Sequence, residues 1–413
     1  MRSIALFSVC LVVAIVPWEE NFVIPGLAST ARLLGVLAIV LGILKVLINF
    51  RLRRPPRAMV WVVLLIGWCL LAMNWSIKPG FTLERAITYT LLLIFMWLIW
   101  DLADTPRRQK WIMRAFILGM VVVISNSYLR FVGIGLAMSG EEYRAGAERT
   151  DVNQLAFQAC FAIQFALFLI TRREKGALEL PNWFYWGFIA AAGVAVLLTG
   201  SRSGILGGAI TTAAFFPLLR EAWRKSGWKN LAALLLVAVV MAGMASRLVS
   251  RAIVERLAEG TESDTYRERQ VAWQRGLQAW SQTPLLGVGP ATYNFIGSPE
   301  GMEKVAHNSF VSLLVESGII GFLLYFAFWV VAVRGVLRLP WHDRYFWLVL
   351  TATVLPCLFS LTVEYHKDLW MLGALMLCHA ANVKPAQAVG RRPLIFPVRK
   401  PRPASPPRPS GPS

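Results

Sequence analysis

Long apolar segments alternate with short polar segments along most of the chain. Stretches such as Leu91–Trp100 and Leu231–Met241 contain no charged residue. About 20 apolar residues cross the hydrocarbon core as a helix, and a helix satisfies its own backbone hydrogen bonds in lipid. The pattern therefore predicts an all-α polytopic membrane protein with about twelve transmembrane helices. We place them at about 4–18, 27–50, 58–77, 85–103, 111–137, 153–171, 183–199, 204–219, 230–250, 308–333, 345–363 and 367–382.

The same pattern divides the chain into four parts. Residues 1–250 hold helices 1–9, residues 251–307 form a large polar loop between helices 9 and 10, and residues 308–383 hold helices 10–12. The segment 384–413 is basic and Pro-rich without apolar periodicity, and we expect a disordered cytoplasmic tail. The first span could instead be a signal peptide, but no A-x-A-like cleavage site follows it.

The positive charge of the chain indicates its orientation in the membrane. The net charge is +19 although only 16% of the residues are charged. Lys and Arg concentrate in loops such as "RLRRPPR", "DTPRRQK" and "TRREKGA", while the intervening loops "PWEENF", "SIKPGF" and "EYHKD" contain few. Because basic residues concentrate in cytoplasmic loops, both termini are predicted to be cytoplasmic. Membrane topology thus accounts for the charge, and we expect no nucleic-acid partner.

The sequence shows no pattern for a metal ion, a nucleotide or a disulfide framework. The five cysteines all lie in apolar runs, which favours buried thiols. The four histidines lack paired ligand spacing, no Asp-x-Asp element occupies the non-cytoplasmic side, and no Gly-rich P-loop occurs. We therefore expect no cofactor and no catalytic metal. The energy for the reaction should come from an activated substrate.

Several arginines lie on the side of the membrane that basic residues usually avoid. A bound anion would offset that cost, because guanidinium groups bind phosphate oxygens bidentately. Salt bridges to nearby glutamates or lipid headgroups are the alternative. Arg202 stands out, because it occupies the short turn "TGSRSG" between two spans. The arginines concerned are Arg144, Arg149, Arg202, Arg267, Arg269 and Arg275.

The large loop contains one predicted helix. Thr265 and Glu268 have capping-box spacing, and Pro284 ends the pattern. Tyr266, Trp273, Leu277 and Trp280 share one face of this helix, with Arg267 pointing elsewhere. Such a helix lies along a membrane surface or covers an active site.

His307 lies where the large loop meets span 10. Asn308 or Ser309 is expected to cap the helix that follows, so that the helix N-terminus disfavours a charged imidazole beside it. A neutral imidazole can act as a general base, and free N–H groups nearby can hold a phosphate. The alternative is a histidine that only forms a hydrogen bond at the interface. Gly318 and Gly321 are expected to let a neighbouring helix pack closely.

These residues resemble a known family. His307 and Asn308, nine residues, and then Gly318-Ile-Ile-Gly321 are similar to the His-[Asn/Ser/Gln]-x9-Gly-x-x-Gly signature of bacterial O-antigen ligases. "RSGIL" at Arg202 resembles their Arg-x3-Leu element, and "TPLLGVGPATY" resembles the usual approach to the histidine. The resemblance covers roughly residues 195–335. The histidine motif is shared by ligases, O-antigen polymerases and protein O-oligosaccharyltransferases.

The resemblance implies a metal-independent glycosyltransferase with a GT-C-like membrane fold. It would move a glycan from undecaprenyl pyrophosphate to a sugar hydroxyl of lipid A–core, at the periplasmic face of the bacterial inner membrane. His307 would be the base or position the acceptor, and Arg202 and Arg267 would bind the pyrophosphate. Arg144 and Arg149 are weaker candidates for that role, while Asn308, Gly318 and Gly321 would support the site.

Two other functional classes share parts of this pattern. A polymerase would use the same donor but a second lipid-linked glycan as acceptor. A transporter would also have about twelve spans, but it should show internal repeats and interrupted helices. No convincing repeat relates the two halves of this chain, and the large loop between spans 9 and 10 favours an enzyme.

Overall fold

The protein is described by a computed structural model. It describes residues 1–21, 30–50, 52–131, 151–173, 179–226, 264–297 and 305–383, and the single positions 236, 239 and 243. Within these residues every regular element is helical. Most of the predicted span 9, the whole predicted tail 384–413, and Arg144 and Arg149 lie outside the described residues.

The described part contains twelve α-helices and two short 3-10 helices. The α-helices are α1 (Arg2–Ile15), α2 (Thr30–Asn49), α3 (Ala58–Ala72), α4 (Pro79–Leu102), α5 (Pro106–Phe131), α6 (Val152–Thr171), α7 (Asn182–Leu198), α8 (Arg202–Ser226), α9 (Asp264–Gln282), α10 (Ser309–Leu337), α11 (Trp341–Ser360) and α12 (Lys367–Asn382). The 3-10 helices are Val16–Asn21 and Tyr293–Phe295.

Six of the described helical segments are long and apolar enough to cross a membrane, by length and composition. These six segments contain helices α1, α2, α4, α5, α6 and α10. Helices α3 and α7 are apolar but shorter. The predicted all-helical, multi-pass membrane protein is therefore confirmed, while the number of twelve spans stays a prediction. Apolar side chains such as Val36, Ile43 and Leu47 of α2 remain exposed, as expected of helices that face lipid.

The connecting segments gather at the two ends of the helix bundle. At one end, which we call the basic end, Arg53 Nη2 donates to Asn382 Oδ1 at 3.1 Å and Arg172 pairs with Asp343 at 2.8 Å. At the opposite end, the His307 end, Ile77 N donates to Val288 O at 3.1 Å. The alternation of loops between two sides agrees with the charge pattern. Which side faces the cytoplasm stays a prediction.

The core of the bundle lies around α6 and α12, whose side chains are buried on nearly every side. Helix α1 is part of the same core through residues such as Val9 and Val13. All five cysteines are free, and four of them are buried, while Cys10 is half-buried. The prediction of buried thiols is thus confirmed for four of the five.

Helix α11 ends earlier than the apolar pattern predicts. Residues 361–363, assigned to span 11 from the sequence, form an extended segment after Ser360. The Ser309 hydroxyl donates to Leu361 O at 2.8 Å and accepts from Val363 N at 2.9 Å. These two hydrogen bonds hold the extended segment against the start of α10, so these residues belong to the His307 end.

Candidate functional site

Asn308 caps the first turn of α10. Its side-chain oxygen accepts hydrogen bonds from the backbone N–H groups of Phe310, at 3.0 Å, and Val311, at 3.2 Å. The first N–H groups of a helix have no partner inside the helix, and a capping side chain supplies one. The predicted cap is therefore confirmed for Asn308. His307 stands directly before it.

His307 is half-buried and adopts a left-handed backbone conformation, with φ of 46°. Positive φ is uncommon outside glycine, and the surrounding structure must hold such a residue in place. Part of that support comes from Trp273 of α9, whose indole Nε1 donates to Ala306 O at 2.7 Å. The segment before His307 is thus tied to the helix of the large loop.

Helix α10 is broken at Gly318, where a loop enters the helix. Gly318 has φ of 63° and ψ of −176°, a conformation that is essentially restricted to glycine. Val288 N and Gly289 N donate to the carbonyls of Val315 and Glu316, at 3.0 and 2.9 Å. Ile319 N donates to Pro284 O at 3.0 Å, and Ile320 N approaches Leu285 O at 3.4 Å. The loop 284–289 therefore supplies the backbone partners that the break removes from α10.

The two glycines of the motif have different roles, and the sequence prediction of close helix packing is wrong for Gly318. A Cβ atom at Gly318 would collide with the backbone of Leu285 and Leu286 in the inserted loop, not with a neighbouring helix. At Gly321 a Cβ atom would lie 3.0 Å from the indole of Trp68, which belongs to α3. Close packing against a neighbouring helix is therefore confirmed for Gly321.

Arg202 is the first residue of α8, at the His307 end. Cys160 and Gln164 of α6 contact Gly204 and Thr211 of α8 in the same order, so α8 runs in the same direction as α6. The end of α6 pairs through Arg172 with Asp343 at the start of α11. The start of α8 therefore lies at the same end as Ser360, whose neighbour Leu361 contacts Ser309. Arg202 is exposed, so its side chain is accessible from this end.

Helix α9 contacts the start of α10 through its tryptophan face. Trp280 packs against a small cluster that contains Tyr293 and Val315. Leu277, which the sequence places on the same face, is 40% exposed, so this face is only partly covered. Arg267 is exposed on α9. The structure thus brings Arg267 and Arg202 to the His307 end, while the predicted roles of both stay predictions.

Three charged residues at this end were missed in the sequence analysis. Arg85 of α4 lies with its Nη1 atom 3.8 Å from Glu364 Oε1, and its guanidinium carbon stands 3.8 Å above the ring centroid of Tyr365. Ser312 Oγ donates to the same Glu364 oxygen at 3.3 Å. Burial raises the pKa of Glu364 to about 7, although Arg85 opposes the shift. The third residue is Glu316 of α10, which interacts electrostatically with Arg85.

A signal for these residues was present in the sequence. Arg85 and Glu316 lie inside predicted spans, and an ionisable residue within a membrane segment indicates a functional site. Among the residues that the structure describes, no group of three or more His, Cys, Asp or Glu side chains could hold a metal ion.

Comparison with known proteins agrees with the residues at this end. Residues 186–326 match the family model described as O-Antigen ligase. The exopolysaccharide production protein ExoQ of Rhizobium meliloti (strain 1021) is 27% identical over 311 residues, which cover 69% of this chain and 67% of that protein. The family comprises glycosyltransferase-like ligases and polymerases of polysaccharides. The resemblance carried by the histidine motif is thereby confirmed, and residues 186–326 of this multi-pass membrane protein are similar to the O-antigen ligase family.

Proposed function

We propose that the protein transfers a glycan from undecaprenyl pyrophosphate to a sugar hydroxyl of lipid A–core, as an O-antigen ligase. The observation that carries the proposal is the position of His307. It lies directly before the capped N-terminus of α10, inside the region that matches the O-antigen ligase family. Its backbone conformation is one that surrounding contacts must hold in place.

The proposed chemistry divides the work between a base and a set of anion ligands. His307 accepts the proton of the acceptor hydroxyl or positions that hydroxyl, and general-base assistance contributes about 10²–10⁴ in rate. Arg202 and Arg267 bind the pyrophosphate, whose departure supplies the driving force. Arg144 and Arg149 are further candidates for pyrophosphate binding. Direct displacement by the hydroxyl inverts the anomeric carbon and requires neither a metal ion nor a cofactor.

The proposed location follows from the substrates and from the charge pattern. The protein would lie in the bacterial inner membrane with a GT-C-like arrangement of helices and with the His307 end in the periplasm. The basic end and both chain termini would then face the cytoplasm. Lipid-linked donor and lipid A–core acceptor would both reach the site from the membrane.

A second candidate function is the polymerisation of lipid-linked glycan units. The similarity to ExoQ favours it, because the name of that relative refers to exopolysaccharide production. The donor site would be the same, while the acceptor would be a second lipid-linked glycan. The identity of the acceptor therefore distinguishes the two functions.

The experiment combines purified protein with a lipid-linked glycan donor, with and without lipid A–core. A ligase produces glycosylated lipid A–core, whereas a polymerase lengthens the lipid-linked glycan when no lipid A–core is present. We expect the first product, and we expect a chelator to leave the rate unchanged. No product with either acceptor would refute both candidates.

His307→Ala tests the proposed base directly. We expect transfer to fall by at least roughly 100-fold while binding of the lipid-linked donor persists. His342→Ala is the matched control, because His342 lies in α11 near the basic end. Near-normal transfer by His307→Ala would leave the histidine as a packing residue, and lost donor binding would place it among the pyrophosphate ligands.

A further inference from the structure

Glu316 holds the loop before His307 with both of its carboxylate oxygens. Oε2 accepts from Ala291 N at 2.9 Å, and Oε1 accepts from Tyr293 N at 3.1 Å. The Glu316 backbone carbonyl also accepts from Gly289 N at 2.9 Å. The residue is only 6% exposed. One buried side chain and its own backbone therefore fix three positions of the loop.

The two oxygens of the Glu316 carboxyl group suit this task, because each of them accepts one backbone N–H group. Hydrogen bonds from backbone N–H groups to a carboxylate are about twice as strong as those to a neutral acceptor. Arg85 of α4 supplies an opposite charge to the same carboxylate. Ala291 adopts a positive φ of 64°, so its N–H direction depends on an outside partner. An amide at position 316 has only one acceptor oxygen for these two N–H groups, so it would hold this loop less firmly.

The loop continues through a second set of contacts to α9 and back to His307. Tyr293 OH donates to Ala272 O at 2.8 Å. Burial raises the pKa of Tyr293, with a further contribution from Glu316, so the phenol remains a donor. Trp273, the next residue of α9, donates to Ala306 O at 2.7 Å, directly before His307. The contacts thus form a closed path from α10 through the loop and α9 to the start of α10.

The path brings together the two elements that the proposed reaction uses. Arg267 lies on α9, six residues before Trp273, while His307 precedes α10. Gly276 of α9 allows close approach, because a Cβ atom there would lie 2.8 Å from the Tyr293 ring. A shift of the loop would therefore move α9, with Arg267, relative to His307.

We propose that Glu316 is a positioning residue that fixes His307 against α9 through Tyr293 and Trp273. This inference rests on the proposed function for its catalytic consequence, but the path of contacts can be tested without transfer. Glu316 lies roughly 12 Å below Asn308 along the helix axis, so it acts through other residues and not on the substrate. A displacement of about 1 Å at a reacting group can cost about 100-fold in rate.

The first test measures the reactivity of His307 in the purified protein. Diethyl pyrocarbonate modifies exposed imidazoles, and mass spectrometry quantifies each of the four histidines separately. We expect Glu316→Gln and Trp273→Phe to raise the modification rate of His307 several-fold, while His342 is unchanged. Trp68→Phe is the matched control, because its indole Nε1 donates to Ser317 O at 2.9 Å outside the path.

The second test is a double-mutant cycle on transfer. Glu316→Gln and Trp273→Phe should each lower kcat by roughly 10- to 100-fold. If both act along one path, the double variant is no worse than the more severe single variant by more than about twofold. Trp68→Phe combined with Trp273→Phe should instead multiply the two single effects. Glu316→Asp keeps the charge and should recover part of the lost kcat.

Several results would overturn the inference. An unchanged modification rate at His307 in Glu316→Gln would show that the path does not hold the histidine. A simultaneous rise at the buried His379 would make Glu316 a residue of general stability. Independent, multiplying effects in the cycle would also contradict it. If the wild type shows no transfer at all, the proposed function fails, and the modification rates still decide the role of Glu316.

Discussion

Replacing Gly318 by alanine should disconnect the inserted loop from α10. The new Cβ would lie 2.5 Å from the carbonyl carbon of Leu285 and 2.6 Å from that of Leu286, both backbone atoms that cannot move independently. Alanine would also have to adopt φ of 63° with ψ of −176°, which costs about 1–3 kcal/mol for a residue other than glycine. The chain can avoid this strain only by closing the helix.

Closing α10 has its own cost. Ile319 and Ile320 would recover helical partners, but the N–H groups of Val288 and Gly289 would lose the carbonyls that they now bind. A buried donor without a partner costs about 1–3 kcal/mol. By either route we expect Gly318→Ala to lower the free energy of unfolding by roughly 2–5 kcal/mol.

The measurement is a denaturant titration of the purified protein in mixed micelles, with proteolysis of the loop 284–297 recorded in parallel. Gly187→Ala is the control, because Gly187 lies in the middle of α7 and a Cβ there meets nothing within 4 Å. Alanine should be neutral there or stabilise by about 0.5–1 kcal/mol. If Gly318→Ala unfolds and is cleaved like Gly187→Ala, the backbone hydrogen bonds between the loop 284–289 and α10 do not contribute to stability.

Three further results are expected. Arg202→Lys keeps the charge but loses the planar pair of donors, so transfer should fall by roughly 10-fold or more at unchanged protein level; full transfer would make the residue a generic charge. The raised pKa of Glu364, about 7 against 4.5, gives a stability contribution that is complete below pH 4.5 and is lost as the pH rises through 7. The free energy of unfolding of the wild type should therefore be roughly 3 kcal/mol lower at pH 8 than at pH 5 because of this residue. Denaturant titrations at the two pH values should show that Glu364→Gln lacks this difference, and an equal difference in both proteins would contradict the prediction. A reporter fused at Gly260 should be periplasmic and one at Arg173 cytoplasmic, and the reverse result would invert the topology.

Much of the fold could be predicted because the local amino-acid composition determines where membrane helices form. An apolar run long enough to cross lipid predicts its own helix, and charged loops such as "RLRRPPR" mark the ends. The cap at Asn308 was equally predictable, because its partners lie two and three residues away. The early end of α11 could not be predicted, because Leu361 is apolar and the contact that removes it from the span comes from Ser309.

The sequence by itself determined the membrane class, the helix-rich architecture, the position of the candidate histidine and its capped helix. Each of these depends on residue type within one or two turns. Only the tertiary structure decided that Gly318 accommodates a loop, that Glu316 binds Ala291 and Tyr293, and that Arg85 meets Glu364. The physical reason is that these contacts join segments far apart in the chain. The pattern of polarity indicates that a charged residue within an apolar span needs a partner. Only the packing of the helices determines which residue that partner is.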